Sequence, residues 1–152
     1  KNNPGAIPLI PLADELSLID DIVYLNNSQQ HHPVQFIKNI DHKLLKSNPS
    51  IPPLLIQPFV ENAFKHAFPE SGMEKIIVLS IEAHGSLLTI RITDNGKGYA
   101  ANTESTTNNS MGVKLAEERM AILNPLRIDN SISIRNNDGP GTTVQIKIKS
   151  GI

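Results

Sequence analysis

The chain has 152 residues, enough for one domain with a sizeable core and too few for two comfortable ones. Charged residues make up 19% and the formal net charge is -1, which argues against a domain whose main task is binding nucleic acid or an anionic membrane. The sequence contains no cysteine, which excludes disulfides, thiolate metal sites and a cysteine nucleophile.

No stretch approaches the ~20 consecutive apolar residues that a transmembrane helix needs, and no signal-peptide pattern opens the chain. The first residue is Lys1 and not Met, so we expect the sequence to be a fragment of a longer protein. The expectation that the chain does not span a membrane therefore applies only to this fragment.

The start of the chain predicts an extended lead-in, a helix and a short strand. Three prolines punctuate residues 1–11, and apolar side chains at helical spacing predict an amphipathic helix over about 12–30. The side chains expected to pack inward are Leu12, Leu16, Ile19 and Val23, with Asp14, Glu15, Asp20 and Asp21 on other faces. Imperfect alternation over 34–41 predicts a short strand.

The middle of the chain predicts a second helix and a β-hairpin. Residues 47–53 form a proline-containing turn that leads into a helix over about 53–68. Two β-rich runs, 75–83 and 86–94, are separated by a short polar turn and predict a hairpin. Residues 95–111 are rich in glycine, asparagine, serine and threonine, and a loop this long is typically a functional lid or disordered.

The end of the chain predicts a helix over 112–123 and two strands, 131–135 and 142–149, around the turn "NNDGPG". Helices precede and interleave with paired strands, and no repeat of βαβ units is visible. The pattern therefore favours an α/β two-layer sandwich on a mixed sheet over a Rossmann-like parallel sheet.

The helix segment "QPFVENAFKH", residues 57–66, combines an apolar face with a polar strip. The side chains expected in the core are Ile56, Val60, Ala63 and Ala67. Asn62 and His66 are one turn apart on a helix, with Lys65 beside them. An amide oxygen can ligate magnesium and a lysine can contact phosphate oxygens. The alternative is a solvated helix edge with a Glu61–Lys65 ion pair.

The segment "TDNGKG" places a carboxylate at a strand end before two glycines. Gly96 and Gly98 permit close backbone approach or positive φ beside Asp94. That carboxylate could accept a hydrogen bond from an exocyclic amine such as that of adenine. The alternative is an ordinary hairpin turn, but a long polar loop follows in place of a returning strand.

Two further segments contain glycine, and the first of them is compatible with a phosphate ligand. Gly112 begins a predicted helix, whose free backbone N–H groups and positive dipole end suit phosphate. The alternative is an ordinary helix cap, for which Ser110 and Gly112 are both adequate. The second segment is "GPGTTV", for which the alternative is a plain turn that leads into the last strand.

Taken in order, these four segments resemble the ATP-binding domain of the GHKL superfamily, which includes gyrase, a heat-shock chaperone, MutL and histidine kinases. Within it, "IPPLLIQPFVENAFKHAF" and the upstream "IPLADELSLIDDIVYL" resemble the LytS-type sensor histidine kinases. The resemblance covers about residues 7–149 and implies a Bergerat fold, with ATP between helices and lid. It divides the chain into a lead-in (1–11), a connecting helix (12–33) and an ATP-binding catalytic domain (34–152).

The resemblance implies a site for the phosphates of ATP and for Mg²⁺. Asn62 is expected to ligate the Mg²⁺ that bridges the triphosphate, with Lys65 and His66 near phosphate oxygens. Gly112 is expected to let the lid approach the phosphates. A part for Glu61 in activating the acceptor histidine is a further expectation.

The resemblance also implies an adenine pocket. Asp94 is expected to bind the adenine amino group, with Gly96 and Gly98 shaping the pocket. Thr142 is expected to help hold Asp94 or its bridging water. These residues complete the candidate site.

Two departures from the family pattern change what we expect. Ser110 stands where the family often has the first glycine at the end of the lid, which affects the geometry of the lid. Pro58 stands where ATP-hydrolysing relatives carry a catalytic glutamate, one helical turn before Asn62. Because no carboxylate is placed there to activate water, we expect no efficient ATP hydrolysis.

The phosphoacceptor segment of LytS-type kinases has no match in this chain. The four histidines outside the candidate site lack its context and are expected in surface or turn positions: His31, His32, His42 and His84. We therefore expect a catalytic domain that presents the γ-phosphoryl of ATP to a histidine on an upstream dimerisation segment of the same parent protein. A response regulator is the expected downstream partner, and nucleic acid is not expected as one.

Three further expectations concern the setting of the chain and the alternatives to a kinase. We expect a monomeric, cytoplasmic fragment of a parent protein that is anchored in the cell membrane. One alternative is a degenerate nucleotide-binding or interaction module without kinase activity. The other is an ATP-hydrolysing GHKL machine, which Pro58 disfavours.

Overall fold

The chain forms a sheet with helices packed on one of its faces. The computed structural model describes residues 9–68, 74–98 and 131–149. The elements of these ranges are β1 (Ile10–Pro11), α1 (Leu12–Ser28), β2 (Gln35–Ile40), α2 (His42–Ser47), β3 (Ser50–Ile51), α3 (Gln57–His66), β4 (Ile76–His84), β5 (Leu87–Asp94), β6 (Ser131–Asn136) and β7 (Thr142–Lys149).

The main sheet has five strands in the order β2-β4-β5-β7-β6. β2 runs parallel to β4, and the other three neighbouring pairs are antiparallel. A separate two-stranded sheet pairs β1 with β3. The mixed sheet and the helices confirm the predicted fold class.

Alternation along the central strands separates an apolar face from a polar one. In the antiparallel register Leu79 lies opposite Ile92, so both side chains point to the helix-covered face, where they are buried. The opposite face is polar: Arg91 Nε donates to Gln145 Oε1 at 2.9 Å, and Arg91 Nη1 lies 3.7 Å from Glu82 Oε2. The sheet is therefore covered by helices on one side.

The helices bury the faces that the sequence predicted, with one exception. The buried apolar residues of α1 and of the α3 region include Leu12, Leu16, Ile19, Ile56, Phe59, Val60, Ala63 and Ala67. Glu15 is the exception, because it was predicted on an outer face and is 0% exposed. That prediction was wrong, because the carboxylate finds backbone donors in a distant segment.

The start of α3 also differs from the prediction. The helix begins at Gln57 and not near residue 53, because Leu54 has φ of +60°, which an α-helix cannot contain. The predicted hairpin between β4 and β5 is confirmed, with Gly85 at φ of +63° in its turn.

The sequence did not predict α2, which depends on contacts with β4. The Asp41 carboxylate accepts hydrogen bonds from the Ala83 N–H at 3.3 Å and the Lys43 N–H at 3.4 Å. The bond from Ala83, followed by that from Lys43, holds the pKa of Asp41 below its ordinary value. Asn48, at φ of +45°, ends the helix.

No helix within the described ranges combines the length and the apolarity that crossing a lipid bilayer requires.

Candidate functional site

Asp94 ends β5 with a buried carboxylate that is 9% exposed. Its Oδ1 accepts hydrogen bonds from the backbone N–H groups of Gly96 at 2.9 Å and Thr142 at 3.3 Å. No described residue donates to its other oxygen, Oδ2. Burial raises the pKa of this carboxyl, and the two backbone hydrogen bonds oppose the rise. The protein thus fixes one oxygen and leaves the second as an acceptor.

The turn after Asp94 packs against the end of α3. A Cβ atom added at Gly96 would lie 2.2 Å from the Ala67 carbonyl oxygen, so this close approach requires glycine. The Lys97 N–H donates to the same oxygen at 2.9 Å. Gly98, at φ of +75°, follows in the left-handed region. Gly96 and Lys97 therefore join the end of β5 to the carbonyl of Ala67, the residue that follows α3.

The β6–β7 turn closes on Asp94 from a second side. Gly141 has φ of +101°, and a Cβ atom there would lie 1.8 Å from the Asp94 carbonyl oxygen. The Asn137 Nδ2 donates to that oxygen and to the Pro140 carbonyl, both at 3.0 Å. The "GPGTTV" segment singled out in the sequence contains Gly141, but no role was predicted for that glycine, and Asn137 was not predicted. The available signal was the pairing of asparagine and glycine in the turn "NNDGPG".

Asn95 anchors the same turn to the beginning of β4. Its Oδ1 accepts from the Ile76 N–H at 2.8 Å, and its Nδ2 donates to the Glu74 carbonyl at 2.8 Å. Its backbone N–H donates to the Ile76 carbonyl at 3.2 Å. The carboxylate of Asp94 is therefore held by a turn with three separate anchors.

Asn62, Lys65 and Glu61 of α3 have no hydrogen bond or ion pair from their side chains to another described residue. Asn62 is half-buried, and its amide makes no hydrogen bond with another described residue. Lys65 is exposed and Glu61 is half-buried, and they do not form the Glu61–Lys65 ion pair of the alternative interpretation. Asn62 precedes Ala67, the attachment point of the Asp94 turn, by about one and a half helical turns. An amide oxygen without a partner is a suitable ligand for a hard cation.

The backbone N–H groups of Gly96 and Thr142 thus both donate to the Asp94 carboxylate. The turn that contains Gly96 is joined to the end of the helix that carries Asn62. Thr142 contacts the carboxylate through its backbone N–H. The remaining expected residues, Gly112 and the side chain of His66, lie outside the described residues. So do Ser110 and the helix predicted over 112–123.

Comparison with known sequences gives one family and a group of relatives. Residues 50–152 match the family described as histidine kinase-, DNA gyrase B-, and HSP90-like ATPase. The chain is 27% identical over 146 residues to the sensor protein LytS of Oceanobacillus iheyensis, covering 90% of this chain and 24% of that protein. It is 38% identical over 92 residues to the sensor histidine kinase/phosphatase LytS of Staphylococcus aureus, covering 60% of this chain and 15% of that protein. The chain therefore spans about a quarter or less of the length of these relatives.

Solved structures with the same fold are sensor kinases of low sequence identity. The mycobacterial sensor histidine kinase MprB has a TM-score of 0.69 at 10% identity, covering 95% of this chain and 98% of that chain. The histidine kinase domain of the Erythrobacter litoralis EL346 blue-light activated histidine kinase has a TM-score of 0.65 at 18% identity. The match covers 92% of this chain and 61% of that chain. These likenesses support the fold assignment.

Proposed function

Because the chain belongs to the family of histidine kinase-, DNA gyrase B- and HSP90-like ATPases, we propose that it is the ATP-binding catalytic domain of a two-component sensor histidine kinase. The observation that carries the proposal is the buried Asp94 carboxylate, whose Oδ1 is held by backbone amides and whose Oδ2 has no donor among the described residues. The similarity to LytS sensor proteins favours a kinase over the other members of the family.

The adenine end of the site consists of Asp94 and the turns around it. Asp94 Oδ2 is the acceptor for the exocyclic amine of adenine, because the Gly96 and Thr142 N–H groups bind Oδ1 and no residue in the described ranges donates to Oδ2. Gly96 lets the turn pack against Ala67, and Gly98 follows at φ of +75°, so both shape the wall of the pocket beside Asp94. Recognition here is a single charge-assisted hydrogen bond to a carboxylate whose position is already fixed.

The phosphate end of the site consists of the polar strip of α3. Asn62 would hold Mg²⁺ through its amide oxygen, and the cation would supply charge neutralisation for the triphosphate. Lys65 and His66 contact phosphate oxygens, and Gly112 allows the lid to approach them. Glu61 takes part in activating the acceptor histidine. The chain contributes positioning and charge neutralisation, which are the main requirements of phosphoryl transfer.

The acceptor of the γ-phosphoryl is a histidine on a separate dimerisation segment of the same parent protein. A response regulator then receives the phosphoryl group. The parent protein is anchored in the cell membrane, and this domain is cytoplasmic. The LytS protein of Oceanobacillus iheyensis is longer than this chain, which covers 24% of it, so a relative of this kind contains further segments.

Calorimetry with Mg-ATP and the variant Asp94→Asn tests the nucleotide site. We expect the wild-type chain to bind and Asp94→Asn to bind at least about tenfold more weakly, because the amide offers a donor where the amine needs an acceptor. Asp138→Asn, which removes an exposed acid from the β6–β7 turn, is the matched control and should bind like the wild type. Equal affinity of the wild type and Asp94→Asn would contradict the assignment.

The kinase step is tested in the parent protein. Incubation with Mg-ATP should give phosphate that is labile in acid and stable in base, as expected for phosphohistidine. ATP binding without such phosphate would instead identify a nucleotide-binding module that lacks kinase activity.

A further inference from the structure

Glu15 is a fully buried carboxylate in the first turn of α1, with no part in the site described above. Its Oε1 accepts a hydrogen bond from the Leu54 N–H at 3.2 Å. Its Oε2 accepts from the N–H groups of Ile56 at 3.1 Å and Gln57 at 3.2 Å. A carboxylate taken out of water is costly unless hydrogen bonds replace its hydration, and these backbone donors do so.

The donors belong to the start of α3. A helix begins with backbone N–H groups that have no partner inside the helix, and a serine, threonine or aspartate before it usually binds one of them. Ile56 occupies that position in α3 and provides no side-chain cap. Glu15 therefore caps α3 from another helix, with its negative charge at the positive end of the α3 dipole.

The same carboxylate holds an unfavourable turn in place. Leu54 has φ of +60°, a conformation that is an outlier for a bulky side chain. Pro52 and Pro53 precede it and have no backbone N–H to bond with neighbouring segments. The Leu54 N–H instead donates to Glu15, so a contact with α1 fixes the turn that leads into α3.

We propose that Glu15 is a positioning residue for the phosphate end of the nucleotide site. It holds the first turn of α3 to α1, and Asn62 lies on the same helix about one and a half turns further along. This inference rests on the function proposed above, because Asn62 acts on the nucleotide only if it holds Mg²⁺. A change in the position of α1 would therefore also change the position of Asn62.

The adenine end has anchors besides the end of α3, and Glu15 does not contact them. Asp94 is held by β7 through Thr142 and by β4 through Asn95. Loss of the Glu15 contact should therefore affect the phosphate end of the site and spare the adenine end. A residue with a purely structural role would weaken both ends together.

The variant Glu15→Gln separates these possibilities in the 152-residue chain. It keeps one acceptor oxygen and the shape of the side chain but loses the charge and the second acceptor. We expect its affinity for Mg-ATP by calorimetry to fall about tenfold, while its affinity for adenosine, followed by NMR titration, stays at the wild-type value. Asp14→Asn, an exposed neighbour on α1, is the matched control and should change neither affinity.

Two results would overturn the proposal in this experiment. One is a wild-type affinity of Glu15→Gln for Mg-ATP, and the other is an equal loss of Mg-ATP and adenosine binding. If Glu15→Gln does not fold, Leu54→Gly is added, because glycine adopts positive φ without strain and restores the turn without restoring the carboxylate. The loss of Mg-ATP affinity should persist in that double variant.

Hydrogen exchange tests the same contact without any nucleotide. In Glu15→Gln the amides of residues 54–57 and of α3 should exchange faster than in the wild type, while those of β4 and β5 should not change. Unchanged protection of α3 would overturn the proposal even if the wild-type chain bound no Mg-ATP. If faster exchange of α3 were found in a chain that binds no Mg-ATP, Glu15 would remain the anchor of α3 and the proposed function would fail.

Discussion

Two buried carboxylates, Asp94 and Glu15, differ in what their oxygens contact. Both oxygens of Glu15 accept hydrogen bonds from backbone N–H groups. Asp94 uses only Oδ1 in this way within the described part of the chain, and its Oδ2 stays available. A buried acceptor that the fold does not satisfy destabilises the protein until a ligand satisfies it. Asp94 is therefore suited to recognition, and Glu15 to holding two helices together.

The pKa of Asp94 leads to a prediction for stability against pH. Burial raises this pKa above the ordinary value of 3.8, so the folded state binds the proton more tightly than the unfolded state does. The stabilising contribution of Asp94 is then fully present below pH 3.8 and is lost as pH rises through the raised pKa.

Asp94→Asn has no charge to bury and keeps an acceptor for the Gly96 and Thr142 N–H groups. We therefore expect it to unfold at nearly the wild-type temperature in acid and at a higher temperature than the wild type at neutral pH. Thermal unfolding of both proteins from acid to neutral pH measures the difference between their unfolding temperatures. The other titrating groups are the same in both proteins, so their effects cancel in this difference. A lower unfolding temperature for Asp94→Asn at neutral pH would show that the ionised carboxylate stabilises the fold.

At the scale of whole elements, long periodic segments were predictable and contact-dependent ones were not. The helix α1 and the strands of the β4–β5 hairpin follow from apolar spacing alone, because each buries a regular face. The helix α2 spans only His42–Ser47, and its cap also depends on the N–H of Ala83 in β4. The strands β1 and β3 have two residues each and exist through their pairing.

The residues of the candidate site also divide into those that the sequence could identify and those that depend on distant contacts. Asp94, Gly96 and Asn62 belong to contiguous motifs, so the sequence could identify them. Glu15 and Asn137 have partners 41 and 43 residues away, in Ile56 and Asp94. The local pattern marks Asn137 only as a turn residue and Glu15 only as one acid of an amphipathic helix. A charged side chain can be buried only where the fold brings hydrogen-bond donors to it. Those donors come from distant segments, so the local periodicity of the sequence does not reveal them.

The β6–β7 turn gives a prediction with a control inside the same turn. Gly141→Ala combines positive φ with a Cβ atom too close to the Asp94 carbonyl, so we expect it to lower the free energy of unfolding by about 3 kcal/mol. Gly139→Ala meets no atom within 4 Å and should change it by less than about 0.5 kcal/mol. Urea unfolding measures both, and similar values for the two variants would disprove the close approach.

At the scale of the whole molecule, the proposed function predicts a domain that binds ATP and does not hydrolyse it efficiently. Pro58 lies in the first turn of α3, where ATP-hydrolysing relatives are expected to carry a glutamate. The half-buried Glu61 lies next to Asn62 and projects about 100° away from it around the helix. Neither residue is placed to activate a water molecule.

We therefore expect the isolated chain to release phosphate from Mg-ATP no faster than Asp94→Asn does. A phosphate-release assay with both proteins at equal concentration makes the comparison, and the variant defines the background. Steady release by the wild type that Asp94→Asn abolishes would place the chain with the ATP-hydrolysing members of its family.

The three anchors of the Asp94 turn have a consequence for how the domain folds. The turn contacts Ala67 of the α3 end, Ile76 of β4 and Gly141 of the β6–β7 turn, so its contacts span a large part of the sequence. Closing such long chain segments is slow and comes late, after local structure has formed. The turn also cannot open without disturbing several elements at once, so its opening should be as rare as global unfolding. The adenine end is therefore assembled only when the domain is complete, and it lasts as long as the folded state itself.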